Sequence, residues 1–308
     1  MKTVLELKNV SKVIKGKKII DSLSFGVQER EVFGFLGPNG AGKTTTIRMI
    51  VGLMGISEGD IVVNGVSVKN DFEGAIRDIG AIVENPELYK FLSGYKNLQH
   101  FARMHKGITD ERIKEVVELV GLSDSIHDKV KTYSLGMRQR LGIAQCLLHD
   151  PKVLILDEPT NGLDPAGIRE IRDYIRRLAR ENGMAVIVST HLLSEMEMMC
   201  DRIGIIQKGK LIDVQQVNEF VQGNEQVYQL ELGDAEKASK VVSEAYPDLQ
   251  YQLEAGKMQI ALTKEQVPEL ISTLVQHNID IYSAMAVAKT LEDRFLEITN
   301  EKGEAINV

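Results

Sequence analysis

A glycine-rich loop near the start of the 308-residue chain constrains its fold more than any other feature. The loop reads Gly37-Pro38-Asn39-Gly40-Ala41-Gly42-Lys43-Thr44. Its glycines let the backbone curl until successive amide groups point at one centre, where a following helix also presents its positive end. Residues 31–36 have the pattern of a buried strand and residues 45–53 that of a helix. This order of strand, loop and helix predicts an α/β fold with a phosphate-binding loop.

The side chains at the end of the loop predict how a nucleotide triphosphate binds. Lys43 is expected to place its charge across the β- and γ-phosphates and the Thr44 hydroxyl to bind Mg²⁺, with Thr45 nearby. Much further along the chain, a second apolar run ends in the acidic pair Asp157 and Glu158, which such a loop needs. The two features together predict a nucleotide triphosphatase.

Composition and charge narrow the compartment and the partners. The longest apolar runs are strand-length, far short of the ~20 residues that a membrane helix requires, and no signal-peptide pattern opens the sequence. We therefore expect a cytoplasmic protein, with Cys146 and Cys200 as buried small hydrophobes. Residues 213–308 hold 7 Lys or Arg against 17 Asp or Glu, net −10, which leaves 30 against 27, or +3, for residues 1–212. The acidic end argues against nucleic acid as a partner.

Hydrophobic periodicity divides the chain into two predicted domains. Residues 1–222 form the larger one, in which strands linked by helices indicate a parallel sheet and residues 85–148, approximately, a helical subdomain. Residues 223–308 form a small acidic α+β domain whose elements follow the order βαββαβ, a ferredoxin-like pattern. Within these domains residues 185–189 and 281–287 are predicted strands, and a helix is predicted to begin at a Thr109 cap and to stop at Gly121. A last helix is predicted from Thr290, with Thr290 and Asp293 as a capping box.

Three further segments occur in a defined order after the loop. They are residues 133–140 (Tyr-Ser-Leu-Gly-Met-Arg-Gln-Arg), residues 159–164 (Pro-Thr-Asn-Gly-Leu-Asp) and residues 189–191 (Ser-Thr-His). With the phosphate loop and the acidic pair, their order and intervals resemble those of the ATP-binding subunit of an ABC transporter, over roughly residues 4–212. The resemblance implies a P-loop NTPase fold of the ABC ATPase type with a helical insertion, and ATP and Mg²⁺ as cofactors.

The resemblance also implies roles for four side chains. Glu158 is the candidate general base for the water that attacks the γ-phosphate, and His191 is the switch histidine that donates to that phosphate. Asp157 is expected to hold Mg²⁺ through water. Lys43 matters as much as proton removal, because phosphoryl transfer depends mainly on positioning and charge stabilisation.

Residues 133–140 stand where the family has its signature, usually Leu-Ser-Gly-Gly-Gln, and depart from it at three of five positions. Ser134 can cap the helix that starts here, and its hydroxyl with the Gly136 amide can form an anion site, although a capped helix without a ligand has the same pattern. In the family the signature closes over the ATP of the opposite subunit, and a loop containing Asp164 crosses between subunits. We therefore expect a head-to-tail pair, either of identical chains or with a related ATPase subunit.

Two positions depart from the pattern of many relatives. Glu84 stands where many have glutamine, and a carboxylate there can bind Mg²⁺ directly but repels the γ-phosphate if unscreened. Ile14 aligns with an aromatic residue that many relatives stack on adenine, so we expect aliphatic contact and loose base selectivity. Glu84 and the Tyr-Ser-Leu-Gly-Met signature resemble the subgroup that serves bacitracin and lantibiotic resistance exporters.

The resemblance implies a subunit that powers an exporter. ATP is expected to close two copies around two nucleotides, hydrolysis to reopen them, and the helical subdomain to pass the motion to separate integral membrane subunits. The surface beside residues 84–96, with Leu88 and Tyr89, is the predicted docking site, which places the protein at the inner face of the cell membrane. Two alternatives stay open: a soluble mechanoenzyme of the same superfamily that acts on ribosomes or DNA, and an ATP-dependent regulatory module.

Overall fold

The computed structural model describes residues 2–190, 192–222, 226–247, 249–254 and 256–287, together with Leu291 and Phe295. The chain forms two compact units that divide between Gln216 and Val217. The strands are β1 Thr3–Ile14, β2 Lys17–Gln28, β3 Val32–Leu36, β4 Glu58–Val63, β5 Val66–Ser67, β6 Ile79–Ile82, β7 Val153–Asp157, β8 Ala185–Ser189, β9 Arg202–Gln207, β10 Lys210–Gln216, β11 Gln226–Leu232, β12 Tyr251–Glu254, β13 Lys257–Leu262 and β14 Ile281–Val287. The helices are α1 Lys43–Ile50, α2 Phe72–Ile76, α3 Gly94–Ala102, α4 Asp110–Leu119, α5 Leu135–Leu147, α6 Pro165–Arg180, α7 Leu193–Met199, α8 Val217–Gln222, α9 Ala235–Ala245 and α10 Gln266–Gln276.

The centre of the first unit is a six-stranded sheet in the order β10-β9-β3-β8-β7-β6. The five strands from β9 to β6 run parallel, and β10 pairs with β9 antiparallel at one edge. Every residue of β3, β7 and β8 is buried, as expected of parallel strands covered on both faces. The parallel sheet predicted from the apolar runs is confirmed.

A second sheet, in the order β2-β1-β4-β5, shares one hydrophobic core with the central sheet and α1. Phe25 of β2 stacks on Phe33 of β3 with ring centroids 5.2 Å apart. Helix α1 contributes Ile47, Met49 and Ile50 to this core. Burying a side chain of this kind contributes about 1.5–3 kcal/mol relative to leaving it in water. The helix that follows the phosphate loop is therefore held firmly.

Helices α3, α4 and α5 pack against one another where the helical subdomain was predicted. Each begins at a hydroxyl cap, since Ser93, Thr109 and Ser134 accept hydrogen bonds from the amide groups of Lys96, Arg112 and Met137. Helix α4 ends just before Gly121, whose φ of 62° lies in the left-handed region that favours glycine. The predicted start and stop of this helix are both confirmed.

The second unit contains a four-stranded antiparallel sheet in the order β12-β13-β11-β14. Helices α9 and α10 complete the order βαββαβ that the sequence predicts, and Leu230, Val242, Ile260 and Leu274 lie in its core. The compact unit starts at Val217, the first residue of α8, whereas the sequence predicts a domain boundary at residue 223. The predicted helix from Thr290 lies outside the described residues, Leu291 and Phe295 excepted.

Two expectations from composition concern membrane spans and the cysteines. Within the described ranges, no helix is long and apolar enough to cross a bilayer. Cys146 and Cys200 are buried free thiols. Burial raises the pKa of both, that of Cys146 to about 12. Because the reactive form of cysteine is the thiolate, both residues act as packing groups.

Candidate functional site

The loop between β3 and α1 has a backbone that only glycine accommodates at several points. Gly40 and Gly42 have φ values of 78° and 114°. A Cβ at Gly37 would collide with the carbonyl oxygen of Ile206, and one at Gly42 with the side chain of Ile20. Helix α1 begins directly at the end of the loop. Its first amide groups, which have no partner within the helix, are therefore available at the loop for an anion.

Lys43 folds back over this loop. Its Nζ donates hydrogen bonds to the carbonyl oxygens of Gly37 at 2.5 Å and Pro38 at 3.3 Å, and the residue is buried. Burial lowers the pKa of the ammonium, and the nearby carboxylates of Glu158 and Asp157 partly offset this effect. A cation therefore lies close to both the loop and the acidic strand end.

The acidic pair is positioned by the register of two parallel strands. Asp157 is the last residue of β7 and lies opposite Ser189, the last residue of β8. The Ser189 hydroxyl donates a short hydrogen bond to Oδ1 of the buried Asp157 carboxylate. The next amide, of Glu158, donates to the Ser189 carbonyl oxygen at 2.9 Å, and Glu158 has a positive φ of 51°. The chain thus turns sharply at Glu158 as it leaves the sheet.

Two adjoining cavities collect these side chains. The smaller, about 170 Å³, is lined by Ile19, Asn39, Gly40, Gly42, Lys43, Thr44, Thr45 and Glu158. The larger, about 330 Å³, is lined by Thr44, Glu84, Asn85, Leu135, Gln139, Asp157, Glu158, Pro159, Asn161 and Leu163. Thr44 and Glu158 line both cavities. The structure therefore brings together the phosphate loop, the acidic pair and Glu84, which lie far apart in the sequence.

The donor set fits Mg²⁺ bound with a nucleotide. Thr44 and Asp157 offer a hydroxyl and a carboxylate at one cavity, and hard oxygen donors of this kind suit Mg²⁺. In the part of the chain that the structure describes, no group of three or more His, Cys, Asp or Glu residues is placed to hold a metal. Mg²⁺ usually takes one or two protein ligands and completes its shell with phosphate oxygens and water. A site that depends on the nucleotide is consistent with both observations.

Glu84 follows β6 in a left-handed conformation, with φ of 72°. Its Oε1 accepts a hydrogen bond from Nη2 of Arg48 on α1 at 2.6 Å, which makes an ion pair. Arg48 was not among the predicted site residues. It lies on the same helix as Lys43, which is the only local signal that could have indicated it.

The signature residues lie at the start of α5. The Ser134 hydroxyl accepts a hydrogen bond from the Met137 amide at 3.2 Å, and Ser134 is exposed. Asp164 caps α6 by accepting from the Gly167 amide at 2.9 Å. Ser134, Gly136 and Asp164 are absent from the described linings of both cavities, although their neighbours Leu135 and Leu163 line the larger one.

Two predicted site residues, Ile14 and His191, are not among the described residues that line these cavities. Ile14, at the end of β1, is 38% exposed, and the side chain that lines the phosphate cavity from this region is Ile19 of β2. Sequence reasoning missed Ile19 because the β1–β2 hairpin, with its turn at Lys15 and Gly16, carries no local sign of which residue faces the loop. His191 lies outside the described residues.

A loop that follows a parallel strand, opens a helix and meets an acidic strand end in one cavity defines a P-loop nucleotide triphosphatase, and this chain has that construction. The model of the ABC transporter family matches residues 20–161. Over 308 residues the chain is 64% identical to the uncharacterized ABC transporter ATP-binding protein YhcH of Bacillus subtilis (strain 168), covering 99% of both. It is 37% identical over 299 residues to the bacitracin transport ATP-binding protein BcrA of Bacillus licheniformis, covering 97% of this chain and 98% of the relative.

A solved ATP-binding subunit of an ABC transporter superposes with a TM-score of 0.63 at 29% identity, covering 71% of this chain and 92% of that structure. The chain belongs to the family of ABC transporter ATP-binding proteins. The ABC ATPase class and the ATP cofactor predicted from the motifs are thereby confirmed.

Proposed function

We propose that this protein hydrolyses ATP to power an exporter of drugs or antimicrobial peptides through separate integral membrane subunits. The similarity to the bacitracin transport ATP-binding protein over almost the whole chain supports the substrate class. The proposal that ATP hydrolysis is coupled to membrane subunits rests on an exposed aromatic cluster around Tyr89 and Phe91. These residues follow closely in the sequence after Glu84 and Asn85, which line the larger cavity. Phe91 is 70% exposed, and the ring of the neighbouring Tyr89 contacts Phe91, His100 and Phe101.

The residues that line the two cavities support a division of catalytic roles. The free amide groups of the phosphate loop and the ammonium of Lys43 bind the phosphates. Thr44, and Asp157 through water, would hold Mg²⁺, which would neutralise charge that develops on the transferred group. Glu158 takes the proton of the attacking water. His191 completes the site by donating to the γ-phosphate. The hydrogen bond from Ser189 fixes the orientation of the Asp157 carboxylate, which would help this group to hold the metal.

The complete site requires a second subunit. The exposed Ser134 hydroxyl and the Gly136 amide at the start of α5 bind the γ-phosphate held by the opposing chain, and the loop that ends at Asp164 crosses the interface. Helix α5 supports such a role because the amide groups of its first turn and its dipole favour an anion. Binding of two nucleotides closes the pair and hydrolysis reopens it, whether the partner is a second copy or a related subunit.

The aromatic cluster passes this motion to the membrane subunits. Residues 85–93 join the strand that precedes Glu84 to α3, so a shift of Glu84 on nucleotide binding moves the segment that carries Tyr89 and Phe91. Exposed aromatic side chains are enriched at protein interfaces. Docking at this surface holds the protein on the inner face of the cell membrane. The unit after Gln216 is an acidic accessory domain.

Affinity-tagged Glu158→Gln protein tests the proposal. This variant is expected to stall with ATP bound and to retain its membrane partner during mild solubilisation, so mass spectrometry should identify a multi-helix membrane protein. Glu118→Gln, the same change on the exposed face of α4, serves as the matched control and should turn over normally. Recovery of ribosomal proteins or nucleic acid without any membrane protein would instead support a soluble mechanoenzyme. If cells that express the stalled form keep full resistance to bacitracin-type peptides, the proposed substrate class is wrong.

A further inference from the structure

An ion pair joins Arg48, on the helix that follows the phosphate loop, to Glu84, at the start of the segment that leads to the aromatic cluster. Nη2 of Arg48 and Oε1 of Glu84 are 2.6 Å apart. Arg48 belongs to α1, the helix that opens with Lys43, and Glu84 lines the cavity that also contains Thr44 and Asp157. The pair therefore connects the phosphate loop to the edge of the same nucleotide cavity.

The charges around this cavity explain why such a contact is needed. Glu84, Asp157 and Glu158 place three carboxylates on its lining. A nucleotide triphosphate adds further negative charge, and its terminal phosphate carries a larger share than either of the other two. Like charges a few ångströms apart repel, and the repulsion strengthens as bound ligand displaces water. An uncharged glutamine in place of Glu84 would not repel the terminal phosphate, whereas the glutamate needs a positive charge beside it.

We propose that Arg48 is a positioning residue that neutralises Glu84 and so allows this carboxylate to lie beside the γ-phosphate of ATP. The inference rests on the proposed placement of the triphosphate along Lys43, Thr44 and Asp157. It makes the chain's preference for a triphosphate over a diphosphate depend on Arg48, because ADP lacks the phosphate that Glu84 repels. The left-handed backbone at Glu84 is consistent with a carboxylate held in one defined position.

The size of the effect is limited by solvent. The side chains of Arg48 and Glu84 are 41% and 63% exposed, and ion pairs with this exposure are strongly screened. We therefore expect removal of Arg48 to weaken binding of a triphosphate by about fivefold, and to leave binding of a diphosphate within about twofold.

A double-mutant cycle on the full chain tests the inference. Affinities for the non-hydrolysable analogue AMP-PNP and for ADP, both with Mg²⁺, are measured by calorimetry for the native chain, Arg48→Ala, Glu84→Gln and the double variant. Arg48→Ala should lose affinity for AMP-PNP selectively, and the same change made together with Glu84→Gln should cost much less. Arg48→Lys keeps the charge and should restore AMP-PNP binding. A loss from Arg48→Ala that is equal in both backgrounds, or equal for both nucleotides, overturns the inference.

Two controls separate this result from other failures. Lys114→Ala removes one exposed positive charge from α4 and should change neither affinity, which excludes an effect of net charge. Lys43→Ala should abolish binding of both nucleotides in every background. If Lys43→Ala binds normally, the proposed placement of the triphosphate is wrong, independently of Arg48. Thermal unfolding of each variant identifies any that is simply destabilised.

Discussion

Ser189 donates a hydrogen bond from its hydroxyl to Asp157, across the neighbouring parallel strands β8 and β7. The two residues are 32 positions apart in the sequence but end adjacent strands at the same edge of the sheet. Asp157 is almost completely buried, so its carboxylate has few other donors. The bond fixes the orientation of the group that we propose to hold Mg²⁺, in the way that outer hydrogen bonds orient metal ligands in general.

Ser189→Ala should therefore weaken the binding of Mg²⁺ and leave the fold intact. We expect the Mg²⁺ concentration for half-maximal ATPase rate to rise by about tenfold, the lower end of the effect of losing such a supporting contact. A titration of the ATPase rate with Mg²⁺ measures it. Ser272→Ala removes a hydroxyl that donates to the Pro268 carbonyl on α10 and should leave the titration unchanged. An unaltered Mg²⁺ curve for Ser189→Ala would show that Asp157 needs no such support.

A charge introduced into the aromatic cluster should uncouple transport from ATP hydrolysis. In the variant Phe91→Asp, a side chain that is 70% exposed becomes anionic, so folding and ATP binding should persist while docking on a membrane subunit fails. Transport by the assembled complex should fall by at least about tenfold, a loss of about 1.4 kcal/mol of interaction or more. Tyr282→Asp makes the same change at an equally exposed aromatic residue of the second unit and serves as the control. Equal transport by both variants would exclude this docking surface.

Elements whose pattern is set by burial could be predicted closely from the sequence. The bounds of β8 and β14 agree with the prediction because an apolar run of strand length between turn residues has few other structures available. Helix α4 was predicted from its Thr109 cap and its Gly121 stop, which are local signals. The phosphate loop is equally local, because one short segment supplies all of its groups.

The parts of the site that could not be predicted from the sequence are contacts between residues far apart in the chain. Arg48 and Glu84 are 36 positions apart, and no periodicity or turn signal relates them. Ile19 reaches the phosphate cavity only because β2 folds back on β1 beside the loop. Propensities describe a segment and its immediate neighbours, whereas these pairs depend on how strands are ordered in a sheet, which the sequence alone did not specify.

His149 should make the stability of the first unit depend on pH. Its Nε2 lies 3.0 Å from the Ile79 carbonyl oxygen, its ring stacks on His105 at 4.5 Å, and among the described residues its buried Nδ1 has no hydrogen-bond partner. Burial, and to a lesser degree the neighbouring His105, lowers the pKa of His149, while the contact with Ile79 and the carboxylates of Asp150 and Asp78 oppose this.

The folded protein therefore binds the proton of this ring less tightly than the unfolded chain does. The contribution to stability is complete above the unfolded pKa of about 6.5 and is lost as the pH falls below it toward the folded value. His149→Gln should show a smaller drop in the free energy of unfolding between about pH 7.5 and pH 5.5 than the native chain, measured by urea denaturation. His127→Gln, on an exposed ring of the same unit, should retain the native drop. A His149→Gln variant as acid-sensitive as the native chain would contradict the assignment.

Gly209, in the turn between β9 and β10, is hydrogen-bonded to the backbone of the phosphate loop. Its amide donates to the carbonyl oxygen of Ala41 at 2.9 Å, and its own carbonyl oxygen accepts from the Asp21 amide at 2.9 Å. Its φ is 78°, and a Cβ at this position would collide with the backbone carbonyl of Ile19, which cannot rotate away as a side chain can. Substitution must therefore displace either β2 or the turn that holds the loop.

Gly183→Ala provides the matched comparison, because Gly183 has a similar φ of 74° and open space around its Cβ position. Both alanine variants bear the cost of a left-handed backbone, about 1 kcal/mol, whereas only Gly209→Ala also bears the collision. We expect Gly209→Ala to lose at least about 2 kcal/mol more unfolding free energy than Gly183→Ala. Its affinity for ATP should also fall, since Ala41 and Ile19 shift with the turn, while Gly183→Ala should bind ATP normally. Equal stability of the two variants in urea denaturation would mean that the turn relaxes without disturbing the loop, and Gly209 would then have no part in holding it.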